Sequence, residues 1–493
     1  MTGTRVDILK RCIDWARSDF KSILWLAGMA GTGKTSIAVT LCRMLQEQPD
    51  VILAGSFFCS RTSNDEARAD VRRILPTLAT SLANQSSRFA AKLADELMAS
   101  IGVAAHRPVS GQIRPLLQHP LAALSSETCS IVFVIDGLDE CSNDREVNEL
   151  LGEISAFTCS ARFKFFITSR PETQIRGSPI SDRVKNEVLQ LHALDADNVT
   201  EDIRTYIDHM FTRNPLGTSE PWYSGTDVQT LANLANGLFV FASTAIGYIL
   251  DTWAAEDRMA RLRTTLSIAN SSKVATGPLD EMYEFVITRA TSTSKVEPQE
   301  LARTQLVLAC ILTSRMPISL TTLAELLGKK VDILRASLQR LRAVIHVPEE
   351  PDQPGLQALH ASFRDYLLQR ASAGVRIDRS LGDDALALGC LKMMEKRLHF
   401  NISQSRSSYE ANPLVKPNFI ALSLEYACLH WIYHISDVSR SSLFDKSIDV
   451  VFRPRILFWL EVMSVLGQVP RAAAMLVFAA VTVCFTALLD DAC

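Results

Sequence analysis

The sequence predicts an α/β fold for its first part, a parallel sheet with flanking helices, followed by regions that are almost wholly helical. Three observations predict it. Four short apolar runs lie at 22–27, 51–59, 131–135 and 163–168, three of them closed by Gly28, Asp136 and Ser169. Stretches with apolar side chains at helical spacing separate these runs. The β-type pattern then mostly stops after about residue 195. Strands alternating with helices imply crossover connections, hence parallel pairing, and strands buried on both faces read as continuous apolar runs.

Taken in order, residues 6–16 place Ile8, Leu9, Cys12, Ile13 and Ala16 on one helical stripe ahead of the first strand. A glycine-rich loop follows the 22–27 strand, then a helix over 35–46. Residues 66–124 read as helices with a break around 102–108, before the third and fourth strands. Residues 197–290 read as helices with a loop at 214–225. Helices at 299–314, 320–327 and 332–342, then a hairpin of 343–347 and 357–360 across an acidic, proline-rich turn, make a winged-helix pattern. A linker is expected at 374–384 and helices from 385 to the end. The predicted domains are therefore 1–195, 196–295, 296–373 and 383–493. No repeat of 20–50 residues argues for a solenoid or propeller.

Composition narrows the function. The chain has 493 residues, 51 basic and 54 acidic, for a net charge of −3. That balance supplies no general field for nucleic acid, which is not expected as a partner. Eleven cysteines without a C-x-x-C pair read as reduced thiols of a cytoplasmic protein. Cys428, His430 and His434 have ligand-like residue types, but a helix interior is the better reading. Residues 472–489 carry no charge and read as a buried terminal helix, with a membrane anchor as the alternative.

The strongest signal is Gly28-Met-Ala-Gly-Thr-Gly33-Lys34-Thr35, matching G-x-x-x-x-G-K-[ST]. Backbone amides surround a polyphosphate only where the loop lacks bulk, and the next helix aims its positive end at the anion. Gly28, Ala30, Gly31, Thr32, Gly33, Lys34, Thr35 and Ser36 are the candidate nucleotide-binding residues, with Lys34 on the β- and γ-phosphates. Thr35 and Asp136 are the candidate Mg²⁺ ligands. Asp136 ends the third strand and opens Asp136-Gly-Leu-Asp139-Glu140, where Asp139 or Glu140 would orient or deprotonate a water. Arg170 at the end of the fourth strand would read the γ-phosphate. The predicted fold is thus that of a P-loop NTPase, with ATP or ADP and Mg²⁺ as cofactors and GTP left open.

The order GMAGTGKTS, IVFVIDGLDEC and FFITSRPE resembles the NACHT branch of the STAND class of P-loop NTPases. Flanking segments at 3–9, 237–242 and 359–367 resemble fungal nephrocystin-like NACHT proteins, and the resemblance covers roughly residues 3–466. It implies a switch that ADP holds closed and ATP opens, with slow hydrolysis and nucleotide-dependent homo-oligomerisation, in fungal innate-immunity or self/non-self signalling. It also implies a winged-helix histidine that senses ADP, for which His360 is the candidate. Where relatives place a proline near the base, this chain has Phe239. The family-like start lies just after Met1 and no WD40, ankyrin or leucine-rich array follows, so a fragment or a minimal regulator is expected. A non-hydrolysing nucleotide-bound scaffold and a small-molecule kinase are the competing readings.

Overall fold

A computed structural model describes residues 3–18, 22–60, 66–99, 108–124, 129–141, 143–157, 162–170, 188–190, 196–215, 221–252, 255–267, 277–291, 297–405, 420–435 and 442–490. The chain divides into two compact units, Met1–Met282 and Tyr283–Cys493.

The first unit is built on a parallel sheet flanked by helices. Its strands are β1 (Ile23–Ala27), β2 (Val51–Phe58), β3 (Ser130–Asp136), β4 (Phe163–Ser169) and β5 (Val188–Gln190), in the order β2-β3-β4-β1-β5. All four pairings are parallel. Side-chain alternation explains why the strands read as unbroken apolar runs. Trp25, Phe133, Ile135 and Phe165 enter one core with helices α3 (Ile74–Ala83), α4 (Ser87–Ala99) and Asp144–Phe157. Leu24, Leu26, Val132, Val134 and Phe166 enter the other, with α1 (Val6–Arg17) and α2 (Lys34–Gln46). The sequence does not announce β5, which has three residues and lies at the sheet edge beside β1.

Helices follow the sheet at Ala196–Thr212, Gly225–Ala235, Phe239–Leu250 and Ala255–Leu266. Ser224 and Asp227 form a reciprocal capping box that fixes where the second of these begins.

In the second unit, helices Pro298–Thr313, Leu320–Leu327 and Val331–Leu338 precede a short antiparallel hairpin of β6 (Ile345–His346) and β7 (Gln357–Ala358). The middle helix matches its expected bounds because both ends are written locally. The Ser319 hydroxyl accepts the Thr322 N–H, and Gly328 closes the helix in the left-handed region.

The expected linker at 374–384 is wrong in its second half. Asp378 caps a helix that spans Arg379–Arg397 and contains Gly382, Asp383 and Asp384. Gly382 marks a close helix approach: a Cβ there would stand 2.5 Å from the Ala309 carbonyl oxygen. Gly389, two turns on, lies against Leu326 in the same way, at 2.6 Å.

Cys428, His430 and His434 are buried on helix Leu422–Ile435. His434 Nδ1 lies 2.8 Å from Asp383 Oδ1 and its Nε2 lies 2.9 Å from the Tyr426 hydroxyl. This is a satisfied core network, and among the described residues no group of His, Cys, Asp and Glu is arranged to hold a metal. No helix among the described residues is long and apolar enough to cross a membrane. Residues 472–489 fall within helix Val469–Asp490, whose side chains from 480 onward lie outside the described residues.

Candidate functional site

The phosphate loop leaves β1 at Ala27 and enters α2 at Lys34. Gly31 and Gly33 have φ of 81° and 90°, a region that side chains with a Cβ enter only at a cost. The alternation around Thr32 curls the loop, which Thr32 ties down by donating its hydroxyl to Met29 O at 2.9 Å. Gly28 N–H donates to Ser169 O at 3.2 Å, anchoring the start of the loop to β4. Lys34 Nζ donates to Gly28 O (2.7 Å) and Met29 O (3.0 Å), so the ammonium is folded over its own loop. Burial pushes its pKa down, and the charges of Asp139, Arg170, Asp136 and Glu140 all act on it. Thr35 and Ser36 are exposed at the mouth of α2, while Ala30 is half-buried.

Asp136 is buried at the tip of β3. Because β4 lies between β1 and β3, a residue of β4 bridges the two halves of the site. Thr168 Oγ1 donates to Asp136 Oδ1 at 2.6 Å and accepts the Gly137 N–H at 2.9 Å. The Thr35 hydroxyl is near enough to favour the charged form of Asp136, so the two expected Mg²⁺ ligands are neighbours. Burial raises the Asp136 pKa above the ordinary 3.8, against the lowering by Thr168, Thr35 and Lys34.

Asp139 and Arg170 are brought together rather than set apart. Arg170 N–H donates to Asp139 Oδ1 at 2.9 Å, and Arg170 Nε lies 3.1 Å from Asp139 Oδ2. The Asp139 side chain is 6% exposed. Glu140 is half-buried in the turn Leu138–Glu140. His360 belongs to the second unit, where it caps helix Ala361–Asp365. Its Nδ1 accepts the Ser362 N–H at 3.1 Å and lies 2.6 Å from Ser362 Oγ.

Two contributors escape a motif reading. The first is Arg5, buried, with its backbone left-handed at φ 57°. Its Nη2 donates to Thr32 O at 3.0 Å, its N–H donates to Asp202 Oδ2 at 3.1 Å, and its guanidinium lies 5.1 Å from the Phe239 ring centroid. The second is Val240, whose N–H donates to Gly31 O at 3.2 Å. Helix Phe239–Leu250 therefore starts on the phosphate loop, and Phe239 itself packs beside Gly33 and Tyr206. The only sequence signal for Arg5 was its place in the 3–9 segment.

The residues fit a nucleoside polyphosphate with one divalent cation. The curled loop and Lys34 suit a compact polyanion, and a hydroxyl with one carboxylate suits Mg²⁺, which takes its remaining oxygens from phosphate and water. In the native state Asp136 keeps its proton to higher pH than in the unfolded chain. Stability therefore falls as pH rises from the ordinary carboxylate pKa through the raised one. Asp136→Asn is expected to raise the thermal midpoint of the nucleotide-free protein at neutral pH. It should also remove the Mg²⁺-dependent part of nucleotide stabilisation, which for a ligand at 100 times its Kd is about 2.7 kcal/mol. Thermal denaturation with and without Mg²⁺ checks both signs.

Comparison with known proteins finds both sequence and structural likenesses. Residues 3–170 match the family model described as Nephrocystin 3, N-terminal. Over 93% of its length the chain is 22% identical to the vegetative incompatibility protein HET-E-1 of Podospora anserina, of which it covers 34%. It thus spans about a third of that relative. Among solved structures it is similar to Cdc6p from Pyrobaculum aerophilum, at TM-score 0.31 and 14% identity over 78% of this chain and 94% of that one. The Aeropyrum pernix Orc1 protein in complex with DNA gives TM-score 0.31 and 15% identity, over 78% and 92%.

Proposed function

We propose that this NACHT-like P-loop NTPase is a nucleotide-gated signalling switch of the STAND class, closed with ADP, opened by ATP and slow to hydrolyse it. The observation that carries the reading is the seating of helix Phe239–Leu250 on the phosphate loop, through the Val240 N–H on Gly31 O. Arg5 adds a second tie, joining the loop at Thr32 O to Asp202 of helix Ala196–Thr212. A loop that reshapes around a γ-phosphate must move those carbonyls, and the helices attached to them move as well. A phosphate loop serving metabolic phosphoryl transfer alone has no need of such ties.

In this reading Gly28, Ala30, Gly31, Thr32, Gly33, Lys34, Thr35 and Ser36 hold the phosphates. Thr35 and Asp136 would hold Mg²⁺, which when bound would neutralise phosphate charge. Thr168 positions the Asp136 carboxylate. Asp139 is occupied in orienting Arg170 toward the γ-phosphate, which leaves Glu140 to orient the attacking water. Residues 1–195 form the NTPase domain, 196–295 a helical lid, 296–373 a winged-helix domain and 383–493 a helical C-terminal region. His360 is the ADP sensor of the winged-helix domain. Likeness to a vegetative incompatibility protein supports a place in fungal self/non-self or innate-immunity signalling. Homo-oligomerisation would accompany the ATP state in a cytoplasmic protein. Nucleic acid is not proposed: the net charge is −3, and Arg335 of helix Val331–Leu338 is used internally on Glu349 O.

The test is to purify the chain, identify the co-purifying nucleotide, and measure turnover and molecular mass with ADP and with a non-hydrolysable ATP analogue. Retained ADP, slow turnover and a mass increase with the analogue support the switch. Fast turnover dependent on a small acceptor would indicate a kinase, and no turnover with unchanged mass a scaffold.

A further inference from the structure

Two cysteines flank the acidic turn, and the nucleotide reading gives neither a role. Cys59 follows β2 directly, and its N–H donates to Asp136 O at 2.8 Å. Cys141 follows the turn Leu138–Glu140, and its N–H donates to Leu138 O at 3.3 Å. They are 82 residues apart in the chain, yet their Sγ atoms lie 3.6 Å apart, both buried. Gly137 lies against the Cys59 backbone, where a Cβ would stand 3.3 Å from Cys59 O. The pair therefore closes a ring around Asp136, Asp139 and Glu140.

We propose that Cys59 and Cys141 are a redox modification site, joined by a reversible disulfide that clamps the acidic turn of the nucleotide site. The oxidant is a hydroperoxide. One thiolate attacks the peroxide oxygen, giving a sulfenic acid and, from hydrogen peroxide, water. The second thiol then displaces the sulfenic oxygen as a second water. Two thiols and one peroxide give one disulfide and two waters, with two electrons passing to the peroxide.

Geometry decides where the strain goes. The sulfurs must close from 3.6 Å to about 2.05 Å. The end of β2 is held in the sheet, where Phe58 pairs with Asp136. The movement therefore falls on the turn that carries Asp139 and Glu140, and through Asp139 on Arg170.

The effect on turnover rests on the nucleotide reading, whereas the cross-link does not, so the two are measured separately. The full chain is exposed to hydrogen peroxide, free thiols are blocked with iodoacetamide, and peptides are mapped by mass. A Cys59–Cys141 linked peptide that dithiothreitol removes is expected. Recovery of both cysteines as alkylated peptides would overturn the proposal. Turnover of Mg·ATP should fall roughly tenfold to a hundredfold on oxidation, the cost of displacing a catalytic group by about an ångström, and recover on reduction. Cys59→Ser and Cys141→Ala should each abolish the peroxide response. A disulfide that forms while turnover stays constant would refute the clamp and leave nucleotide binding itself standing.

Discussion

Lys34→Ala is expected to lose nucleotide while the protein remains folded. The lysine opens α2 and its ammonium spans the loop to Gly28 O and Met29 O. A bound triphosphate replaces those carbonyl contacts with charge-assisted bonds to anionic oxygens, each worth about 1.5–3 kcal/mol. Removing the ammonium forfeits at least one of them, so affinity for Mg·ATP and Mg·ADP falls by roughly tenfold to more than a hundredfold. The side chain is half-buried and belongs to neither hydrophobic core of the sheet, so the nucleotide-free thermal midpoint should move little. Titration calorimetry and thermal denaturation of the same preparation separate the two effects. Undiminished affinity in a folded variant would remove Lys34 from the site. Arginine is a poor replacement, because its wide planar fork does not fit a cradle sized for a compact ammonium.

Gly31→Ala is expected to detach helix Phe239–Leu250 from the loop. The residue sits at φ 81°, and a Cβ there would stand 2.8 Å from Val240 Cβ and overlap Val240 Cγ1. The left-handed backbone costs about 1–2 kcal/mol for a residue with a side chain, and the added methyl about 1–3 kcal/mol. A combined loss of about 2–5 kcal/mol follows from these terms. The partner change Val240→Ala should recover the overlap with Cγ1 and leave the 2.8 Å approach to Cβ and the backbone part, a non-additivity that a double-mutant cycle reads directly. Gly152→Ala, in helix Asp144–Phe157 where a Cβ meets nothing within 4 Å, is the control and should be neutral or stabilising. Equal effects of Gly31→Ala in the presence and absence of Val240→Ala would contradict the contact.

What the sequence made legible and what it hid divide along a physical line. The loop 28–35 and the strand ending in Asp136 were readable because their chemistry depends on residue types at fixed local spacing. The strands around them were readable because both faces are buried. The capped helix Leu320–Leu327 was readable because Ser319 and Gly328 write its ends locally. Contacts made at long range left no such trace. Arg5 meets Asp202 across 197 positions, and Thr168 meets Asp136 across 32 because β4 pairs with β3. Glycine was ambiguous for the same reason. Gly382 resembles a linker residue until the neighbouring helix at Ala309 is placed against it. Asp139 and Arg170 each look catalytic alone, and only the fold reveals that they hold one another.

Hydrogen exchange at the start of helix Phe239–Leu250, above all at the Val240 amide, reads most directly whether nucleotide state reaches the helices. That amide is bonded to the phosphate loop through Gly31 O. Exchange should be slow with Mg·ADP and faster with a non-hydrolysable Mg·ATP analogue at saturating concentration. Identical protection in both states, with binding of both nucleotides verified, would mean that the loop and the helices do not communicate and that the chain is no switch.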